Sequence, residues 1–364
     1  MRTDVAVVGG GPGGSAAAIE LARRGFDVTL FERDDWFRDK PCGEFLNAAA
    51  CSLAVELGVR LDQGVRVAAV ALRTQNHRLE VKLCRPGRSI RRNVLDAALL
   101  RSAAHHGVKV LTGRPVRSVH GGRILGDGFA YDVKLVIAAD GSHSRIARER
   151  GLVRSIPRLQ RVGAVAHLRV SRSLEPGLMT MFATRRDSPV AAGFCTRGGG
   201  RAILSGVLPK GLPPRPALEG FVRNRVGIDA AIEEIRTTAC FGHRLLRPYD
   251  EGVLFVGDAA CFVDPFSGEG IHHAFEGARL AAAVAEAHLR NKDPLSNYAR
   301  LRRELDRRYL LCDLVQWFVH RPAAIDRLAG RLGDDSASRL IETMTDALPP
   351  TAVLNAKLLR EVFV

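Results

Sequence analysis

Short apolar runs alternate with a helix-forming stretch at the start of the chain. Val5–Val8 and Val28–Phe31 are apolar and have the length of buried strands, and the Ala-rich stretch Ser15–Arg24 between them favours a helix. Gly25 stands where that helix would end. The pattern predicts a strand–helix–strand unit with two parallel strands.

Similar patterns recur further along the chain. Helices are predicted at 95–105, at 144–150 and, after a loop at 265–270, up to residue 289. Apolar runs predict strands at 108–111, 116–119, 135–139 and 253–256.

The middle of the chain has a different period. Apolar residues occupy every second position from Val162 to Val170, and the stretches 179–183, 190–195 and 202–208 look similar, as half-buried antiparallel strands do. We predict an α/β protein with a parallel sheet, into which an antiparallel-sheet domain is inserted. The predicted boundaries are 1–157 with 246–290 for the first domain, 158–245 for the insert and 291–364 for a C-terminal helical region.

A glycine-rich turn joins the first strand to the first helix. Gly9, Gly11 and Gly14 fit the G-x-G-x-x-G spacing, in which the glycines allow a tight turn, close approach of a pyrophosphate, and close helix–strand packing. The following helix N-terminus favours an anion. Glu32 ends the second strand, where an acid binds a ribose hydroxyl and repels a 2′-phosphate. The unit therefore predicts FAD or NAD rather than NADP.

Composition and length exclude several classes of protein. The chain has 364 residues, is 46% hydrophobic, and has no uninterrupted apolar run near the ~18 residues of a membrane-spanning helix. The first strand begins too early for a signal peptide, so we expect a cytoplasmic protein without an integral membrane segment. The chain has seven cysteines, an odd number, and none of them form a C-x-x-C pair. Neither a disulfide framework nor a metal site is therefore expected.

The charge is strongly positive. The formal net charge is +15, and only seven of the 54 basic residues are lysine. A solvated surface explains this most simply, whereas an acidic partner protein or an anionic membrane surface is the sharper alternative. No nucleic-acid-binding motif accompanies the charge, so nucleic acid is not expected.

Three spaced motifs carry a resemblance to a known superfamily. They are the glycine turn with Glu32, the stretch "ADGSHSRIAR" at 139–148, and "GDAACFVDPFSGEG" at 257–270. With them, and with "DKPCGEFL" at 39–46, the chain resembles the FAD-dependent monooxygenase and geranylgeranyl-reductase-like superfamily, which has the para-hydroxybenzoate hydroxylase fold. The resemblance covers about residues 1–290 and implies that 1–157 and 246–290 form an FAD-binding domain.

The resemblance implies roles for individual residues. Glu32 would hold the adenosine ribose, Arg92 would lie near the FAD phosphates, and Val116 would offer backbone contacts to adenine. Asp140 and Gly141 match a motif associated with FAD and with transient NAD(P)H binding, and Asp258 would contact the ribityl or pyrophosphate region. The remaining expected cofactor-binding residues are Gly9, Gly11, Pro12, Gly13, Gly14, Arg33, Lys40, Cys42, Gly43, Gly257, Pro265, Gly268, Gly270 and Ile271.

The glycines of the third motif precede a predicted helix. Free N–H groups of that helix would face the flavin and stabilise the negative charge of its reduced form. Asp140 and Asp258 have an alternative role as caps of turns, and Glu269 is interpreted as an acid at the helix start.

Catalytic residues are not identified by spacing alone. Cys42 is a weak candidate, with Lys40 placed to lower its pKa or to contact a phosphate, and it competes with a purely structural role in its loop. His272 and His273 are further candidates as neutral substrate contacts, against the simpler interpretation as ordinary helix residues.

Several reactions remain open at this stage. The leading expectation is a monooxygenase acting on an apolar or aromatic substrate, with NAD(P)H or a separate flavin reductase as electron donor. Reduction of a C=C bond or dehydrogenation is the first alternative, although the stretch 179–197 lacks the aromatic motif usual in geranylgeranyl reductases. An FAD-containing binding protein for an acidic partner is the second, and an acidic carrier protein that brings the substrate is compatible with either enzyme.

Overall fold

The chain folds into two large sheets with helices packed against them. The computed structural model describes residues 1–35, 39–155, 161–171, 176–183, 191–239, 243–262, 268–307 and 321–344, together with 352 and 357. Pro265 lies outside these residues. A predicted α/β architecture with a parallel-rich sheet and a second, mostly antiparallel sheet is confirmed.

The first sheet has eight strands, five of them parallel. Its strands are β1 (Arg2–Val8), β2 (Val28–Phe31), β6 (Lys109–Leu111), β7 (Val116–His120), β8 (Arg123–Gly126), β9 (Phe129–Ala138), β17 (Tyr249–Asp250) and β18 (Val253–Phe255). The parallel order is β18-β9-β1-β2-β6, with β17 antiparallel at the edge and β7 and β8 branching from β9.

The second sheet also has eight strands. They are β3 (Phe45–Leu46), β4 (Val65–Arg73), β5 (Arg78–Ser89), β11 (Arg161–Val170), β12 (Leu178–Ala183), β13 (Ala191–Gly198), β14 (Arg201–Pro209) and β15 (Ala230–Thr237). Their order is β15-β11-β14-β13-β12-β4-β5-β3, antiparallel except between β12 and β4. The short strands β10 (Val153–Ser155) and β16 (His243–Leu245) pair separately.

Within the ranges described above, eight helices have defined bounds. They are α1 (Pro12–Arg23), α2 (Ala48–Glu56), α3 (Arg92–His105), α4 (Arg145–Glu149), α5 (Pro214–Phe221), α6 (Gly270–Asn291), α7 (Pro322–Arg331) and α8 (Asp334–Met344). Residues 297–307 are also helical, and short π- and 3₁₀-helical segments occupy Val222–Val226 and Gly257–Ala259. Among the described residues, no helix is both long and apolar enough to span a membrane.

The predicted strand–helix–strand unit is present. Helix α1 begins three residues earlier than predicted, because Pro12 fits the first helical turn, where its missing N–H costs no hydrogen bond. Gly9 has φ +108°, and a β-carbon on Gly14 would lie 1.9 Å from Gly9 O. Only glycine therefore allows α1 to approach the end of β1 this closely.

Small residues also bring α1 and α6 together. Both helices bury alanines in one core cluster, among them Ala17, Ala18, Ala278 and Ala281. Tyr298 closes the far side of α6, where its hydroxyl oxygen lies 3.0 and 3.1 Å from the carbonyl oxygens of Phe255 and Gly277, within hydrogen-bonding range of either. Helix α6, which follows the third motif, is thus fixed against α1, which follows the glycine turn.

The second sheet draws on more of the chain than the predicted insert. Strands β3, β4 and β5 come from within the stretch 1–157, and β12 joins β4 in parallel. The predicted boundaries at 158 and 245 do not include them, because in the sequence β4 and β5 lie between α2 and α3, inside the stretch assigned to the first domain.

The two faces of the second sheet have different partners. Ala164, Ala166 and Leu168 of β11 pack on the face covered by α5. Val165 lies on the opposite face, in a cluster that includes Ile341 of α8. The C-terminal helices are fixed there by Asp326, which accepts hydrogen bonds from the Thr74 hydroxyl at 2.6 Å and from Asn76 N at 2.8 Å.

We expect Gly14→Ala to lower the free energy of unfolding by about 2 kcal/mol or more, because the new methyl group overlaps a backbone oxygen. Chemical denaturation measures this. Gly220→Ala in α5 is the control: nothing lies within 4 Å of the added carbon, and replacing a helical glycine should stabilise by about 0.5–1 kcal/mol. Equal stability of the two variants would contradict the close packing described above.

Candidate functional site

The site lies where the central strands of the parallel sheet end. The chain runs from β1 to β2 on one side and later returns to β9 on the other, so the strand order reverses between β1 and β9. Such a switch point forms a crevice at the carboxyl ends of the strands. A β-carbon on Gly9 would lie 2.2 Å from Ala139 O, so the turn after β1 rests directly on the end of β9.

The N-terminus of α1 opens into this crevice beside two cations. Gly11 is the N-cap residue, and no side chain caps the helix. A β-carbon on Gly11 would lie 3.5 Å from Lys40 Nζ and 3.8 Å from Arg92 Nη2. Free N–H groups, the helix dipole and two cations together make a site for an anion such as a pyrophosphate.

Arg92 is held in place by its own helix. Its Nε and Nη2 donate to the two carboxylate oxygens of Asp96, each at 2.9 Å. Asp39 fixes the start of the same helix by accepting from Asn93 N at 3.1 Å, and it forms an ion pair with Arg91. The charge on Asp96 and the Cys42 sulfur help to raise the pKa of Arg92 against the opposing effect of burial, so the cation is permanent.

Glu32 lies at the end of β2, on the same side of the sheet. Its carboxylate accepts from Gly10 N at 2.7 Å and from Asp34 N at 3.0 Å, which fixes its orientation beside the glycine turn. The backbone of Arg114 donates to Glu32 O at 2.9 Å, so the segment leading into Val116 lies next to it. Arg33 points to solvent and pairs with Asp34.

Asp140 and Gly141 follow β9 as predicted. The carboxylate of Asp140 accepts from Arg145 N at 2.8 Å and from Ile146 N at 3.3 Å, so it caps the start of α4. Burial raises its pKa against these hydrogen bonds. The capping role considered from the sequence is therefore real, and Gly141, at φ +87°, forms the turn beside it.

Gly257 connects the first and third motifs. A β-carbon on Gly13 would lie 3.4 Å from Gly257 Cα, and one on Gly257 would lie 3.5 Å from Ala274 Cβ in α6. Asp258 follows, with an exposed side chain at the crevice. Desolvation by the surrounding protein raises the pKa of Asp258, while the charges of Arg92 and Lys40 lower it, so the three groups share one electrostatic environment.

The start of α6 completes the crevice. The helix begins at Gly270, and space around the Cα of Gly270 is open, with nothing within 4 Å of an added β-carbon. Ile271 buries its side chain in the core, so its backbone N–H is the group that it can offer to a cofactor. Gly268 has φ +71°, and a β-carbon added to it would lie 3.0 Å from the ring of Phe45.

Cys42 lies at the crevice but is not an activated thiol. Burial raises its pKa, and the nearby charge of Arg92 opposes this only in part. The pKa of this thiol is thus raised, whereas activation requires a lowered pKa, and the cation whose charge opposes the rise is Arg92. Glu44 N donates to Cys42 Sγ at 3.4 Å, and Gly43 lies against Ser205.

His272 and His273 are buried in the first turns of α6. Their side chains are 4% and 2% exposed, and His273 Nε2 lies 3.1 Å from Glu269 Oε2. Glu269 is the N-cap residue of the helix, as expected, but its buried carboxylate faces this histidine. Among the described residues, no group of histidine, cysteine, aspartate or glutamate is arranged to hold a metal ion.

A buried polar cluster was missed by the sequence analysis. Glu44 is 1% exposed, its Oε1 lies 2.9 Å from His167 Nε2, and its other oxygen pairs with Arg197. The signal was weak: Glu44 follows the C-G pair directly, and His167 and Arg197 are charged or polar positions in otherwise apolar strands. Their meeting depends on contacts across more than 120 residues.

The amino-acid sequence matches a family of FAD-binding proteins. A family model described as an FAD binding domain matches residues 2–310. Menaquinone reductase of Mycolicibacterium smegmatis is 29% identical over 316 residues, which cover 78% of this chain and 76% of the relative. Digeranylgeranylglycerophospholipid reductase 1 of Methanopyrus kandleri is 31% identical over 333 residues, which cover 84% and 86%.

Solved structures share the fold at lower sequence identity. The flavin-dependent brominase Bmp2 superposes with a TM-score of 0.84 at 20% identity, covering 98% of this chain and 96% of that one. A geranylgeranyl bacteriochlorophyll reductase-like protein from Thermoplasma acidophilum gives a TM-score of 0.79 at 23% identity, covering 100% and 96%.

We expect Lys40→Ala to raise the Kd for FAD about tenfold, because it removes one of two cations beside the α1 N-terminus, a loss of about 1.4 kcal/mol. Quenching of FAD fluorescence on titration with apoprotein measures this. Lys134→Ala is the control, since Lys134 is exposed and pairs with Asp4 at 2.7 Å, away from the crevice. Equal affinity of the two variants would place the phosphates elsewhere.

The FAD affinity should also depend on pH through Asp258. As the pH falls through the raised pKa of Asp258, protonation weakens its carboxylate as an acceptor for a cofactor hydroxyl, so the affinity should decrease. Asp258→Asn should flatten this dependence, whereas Asp62→Asn, which alters an exposed acid paired with Arg60, should retain it. A pH profile that is unchanged in Asp258→Asn would remove Asp258 from the cofactor contacts.

Proposed function

This chain belongs to the FAD binding domain family and is an FAD-dependent oxidoreductase, and on that premise we propose that it reduces a C=C bond of an apolar, isoprenoid-type substrate. The observation that carries the proposal is the similarity to two reductases over at least 76% of each relative. The compound in each name, menaquinone or digeranylgeranylglycerophospholipid, is a lipid with an isoprenoid chain. Because both relatives are reductases, we prefer reduction to the monooxygenase reaction, which stays a prediction.

The crevice fits the cofactor that the family implies. Gly11, Lys40 and Arg92 would hold the pyrophosphate, Glu32 the adenosine ribose, and Asp258 a hydroxyl of the ribityl chain. The N-terminus of α6 would favour negative charge on the flavin ring. Reduced flavin supplies a hydride equivalent, and the protein supplies binding, orientation and electrostatics.

The electron donor and partner remain proposals as well. We propose NAD(P)H or a separate flavin reductase as the donor. An acidic carrier protein, the alternative that the positive charge left open, also stays a prediction. Exposed arginines lie on several elements of the described chain, including Arg2, Arg66, Arg101, Arg154, Arg201 and Arg331.

The proposed reaction is tested without oxygen. The flavin of the holoenzyme is reduced with dithionite, and menaquinone bearing its isoprenoid side chain is added in detergent. Reoxidation of the flavin is expected, together with a product that stays heavier by two hydrogen atoms after any quinol has been reoxidised to the quinone in air. Product that forms only in air and carries heavy oxygen from labelled O₂ would contradict it and would select the monooxygenase.

A further inference from the structure

Glu44 occupies a costly position directly after Cys42 and Gly43. It is one of two non-glycine residues with positive φ in the described chain, at +56°, and its side chain is 1% exposed. The left-handed region disfavours a residue with a β-carbon, and a buried carboxylate requires strong partners. Strain of this kind, at the edge of a functional crevice, points to a constraint that the surrounding structure imposes.

The partners of Glu44 come from the second sheet. His167 of β11 approaches Oε1 at 2.9 Å, and Arg197 of β13 forms an ion pair with Oε2. The backbone of Glu44 is fixed as well, since its carbonyl accepts from Ile90 N at 2.9 Å. The acid is therefore anchored to strands that lie far from it in sequence.

The other end of the same segment is anchored at Asp39. This acid is 6% exposed, pairs with Arg91 and accepts from Asn93 N at 3.1 Å. Residues 39–44, called the 39–44 segment below, are thus held by a buried carboxylate at each end.

Glu234 of β15 links the two anchors. Its Oε2 lies 3.4 Å from Arg91 Nη2 and 3.4 Å from His167 Nδ1. Arg236 pairs with its other carboxylate oxygen. The contacts close a ring that we call the polar ring: Asp39, Arg91, Glu234, His167 and Glu44.

The 39–44 segment carries its other side chains into the crevice. Lys40 lies beside Gly11, Cys42 lies within hydrogen-bonding range of Arg92, and Gly43 rests on Ser205 of the second sheet. The positions of both cations near the α1 N-terminus are therefore connected through this segment to the second sheet.

We propose that Glu44 is a positioning residue that, through His167 and Arg197, fixes the 39–44 segment so that Lys40 and Arg92 face the cofactor. The proposal deepens the proposed function by naming how the second sheet sets the cofactor site. It rests on the assignment of FAD and is independent of the reaction that the flavin carries out.

Glu44→Gln tests the proposal, because the side chain keeps its size but loses the charge that pairs with Arg197. We expect the Kd for FAD to rise at least tenfold. Glu233→Gln is the matched control: Glu233 is the neighbour of Glu234 on β15, but it pairs with Arg169 at 2.7 Å. Its Kd should stay within twofold of the unaltered protein.

The reactivity of Cys42 gives a second readout that does not require flavin. Burial and the charge of Glu44 both raise the pKa of this thiol. Glu44→Gln should therefore lower it and speed alkylation by iodoacetamide at neutral pH at least fivefold in the apoprotein. Mass spectrometry of the Cys42 peptide distinguishes it from the other cysteines, and a pH profile of the rate reports the direction of the shift.

His167→Asn provides a second test of the proposal in case Glu44→Gln does not fold. It keeps the Glu44 carboxylate and its Arg197 partner, so it should raise the Kd for FAD about threefold and add little when combined with Glu44→Gln. Circular dichroism and thermal melting establish that each variant is folded. A folded His167→Asn with unchanged affinity and unchanged alkylation would overturn the proposal, even if Glu44→Gln cannot be prepared.

The two assignments fail in different ways. If the unaltered protein binds no FAD, the cofactor assignment is wrong. The alkylation rate of apo His167→Asn, which keeps the Glu44 charge, still decides whether the cluster holds the segment: faster alkylation than in the unaltered apoprotein supports it, and an equal rate contradicts it. If the unaltered protein binds FAD while a folded Glu44→Gln matches it in both affinity and alkylation, the role of Glu44 is wrong and the cofactor assignment stands.

Discussion

The close approach of helix α1 to the ends of β1 and β9 is the constraint on which the site depends. A β-carbon at Gly9 or Gly14 would overlap a backbone oxygen, at 2.2 or 1.9 Å respectively. Without this contact the first N–H groups of α1 would not lie at the switch point of the sheet. Because helix termini carry unpaired donors, a helix start placed there attracts an anion whatever chemistry follows.

Charge from distant parts of the chain then gives the crevice its selectivity. Lys40 comes from the loop after β2, Arg92 from the start of α3, and Asp258 from the turn after β18. Their mutual influence appears in the pKa of Asp258, which desolvation by the surrounding protein raises and the charges of the two cations lower. A cluster with both signs of charge suits a ligand that has phosphates at one point and hydroxyl groups at the next.

The second sheet contacts the segment that lines the cofactor crevice. Besides two apolar clusters, it provides a buried ion pair to Glu44 and, through the partly exposed Glu234, a contact to Arg91. Buried pairs contribute little net stability because desolvation offsets their attraction. Their value here lies in fixing the geometry of a loop that crosses between the two sheets.

The sequence by itself determined the local parts of this protein. The strand–helix–strand unit, the positions of Gly9, Gly11 and Glu32, the turn at Asp140 and the helix after Gly270 follow from short-range preferences of the backbone. The family motifs added Arg92 and Asp258 as expected neighbours of a cofactor.

Tertiary structure alone decided how these parts meet. The sequence did not show that β3, β4 and β5 join the second sheet, that Arg92 neighbours the Cys42 sulfur, or that Glu44 is buried against His167 and Arg197. Pairing of strands and of charges over such distances depends on register and packing, which a local pattern of residue types does not encode. The buried state of Cys42, His272 and His273, and hence their chemistry, is likewise a property of the folded chain.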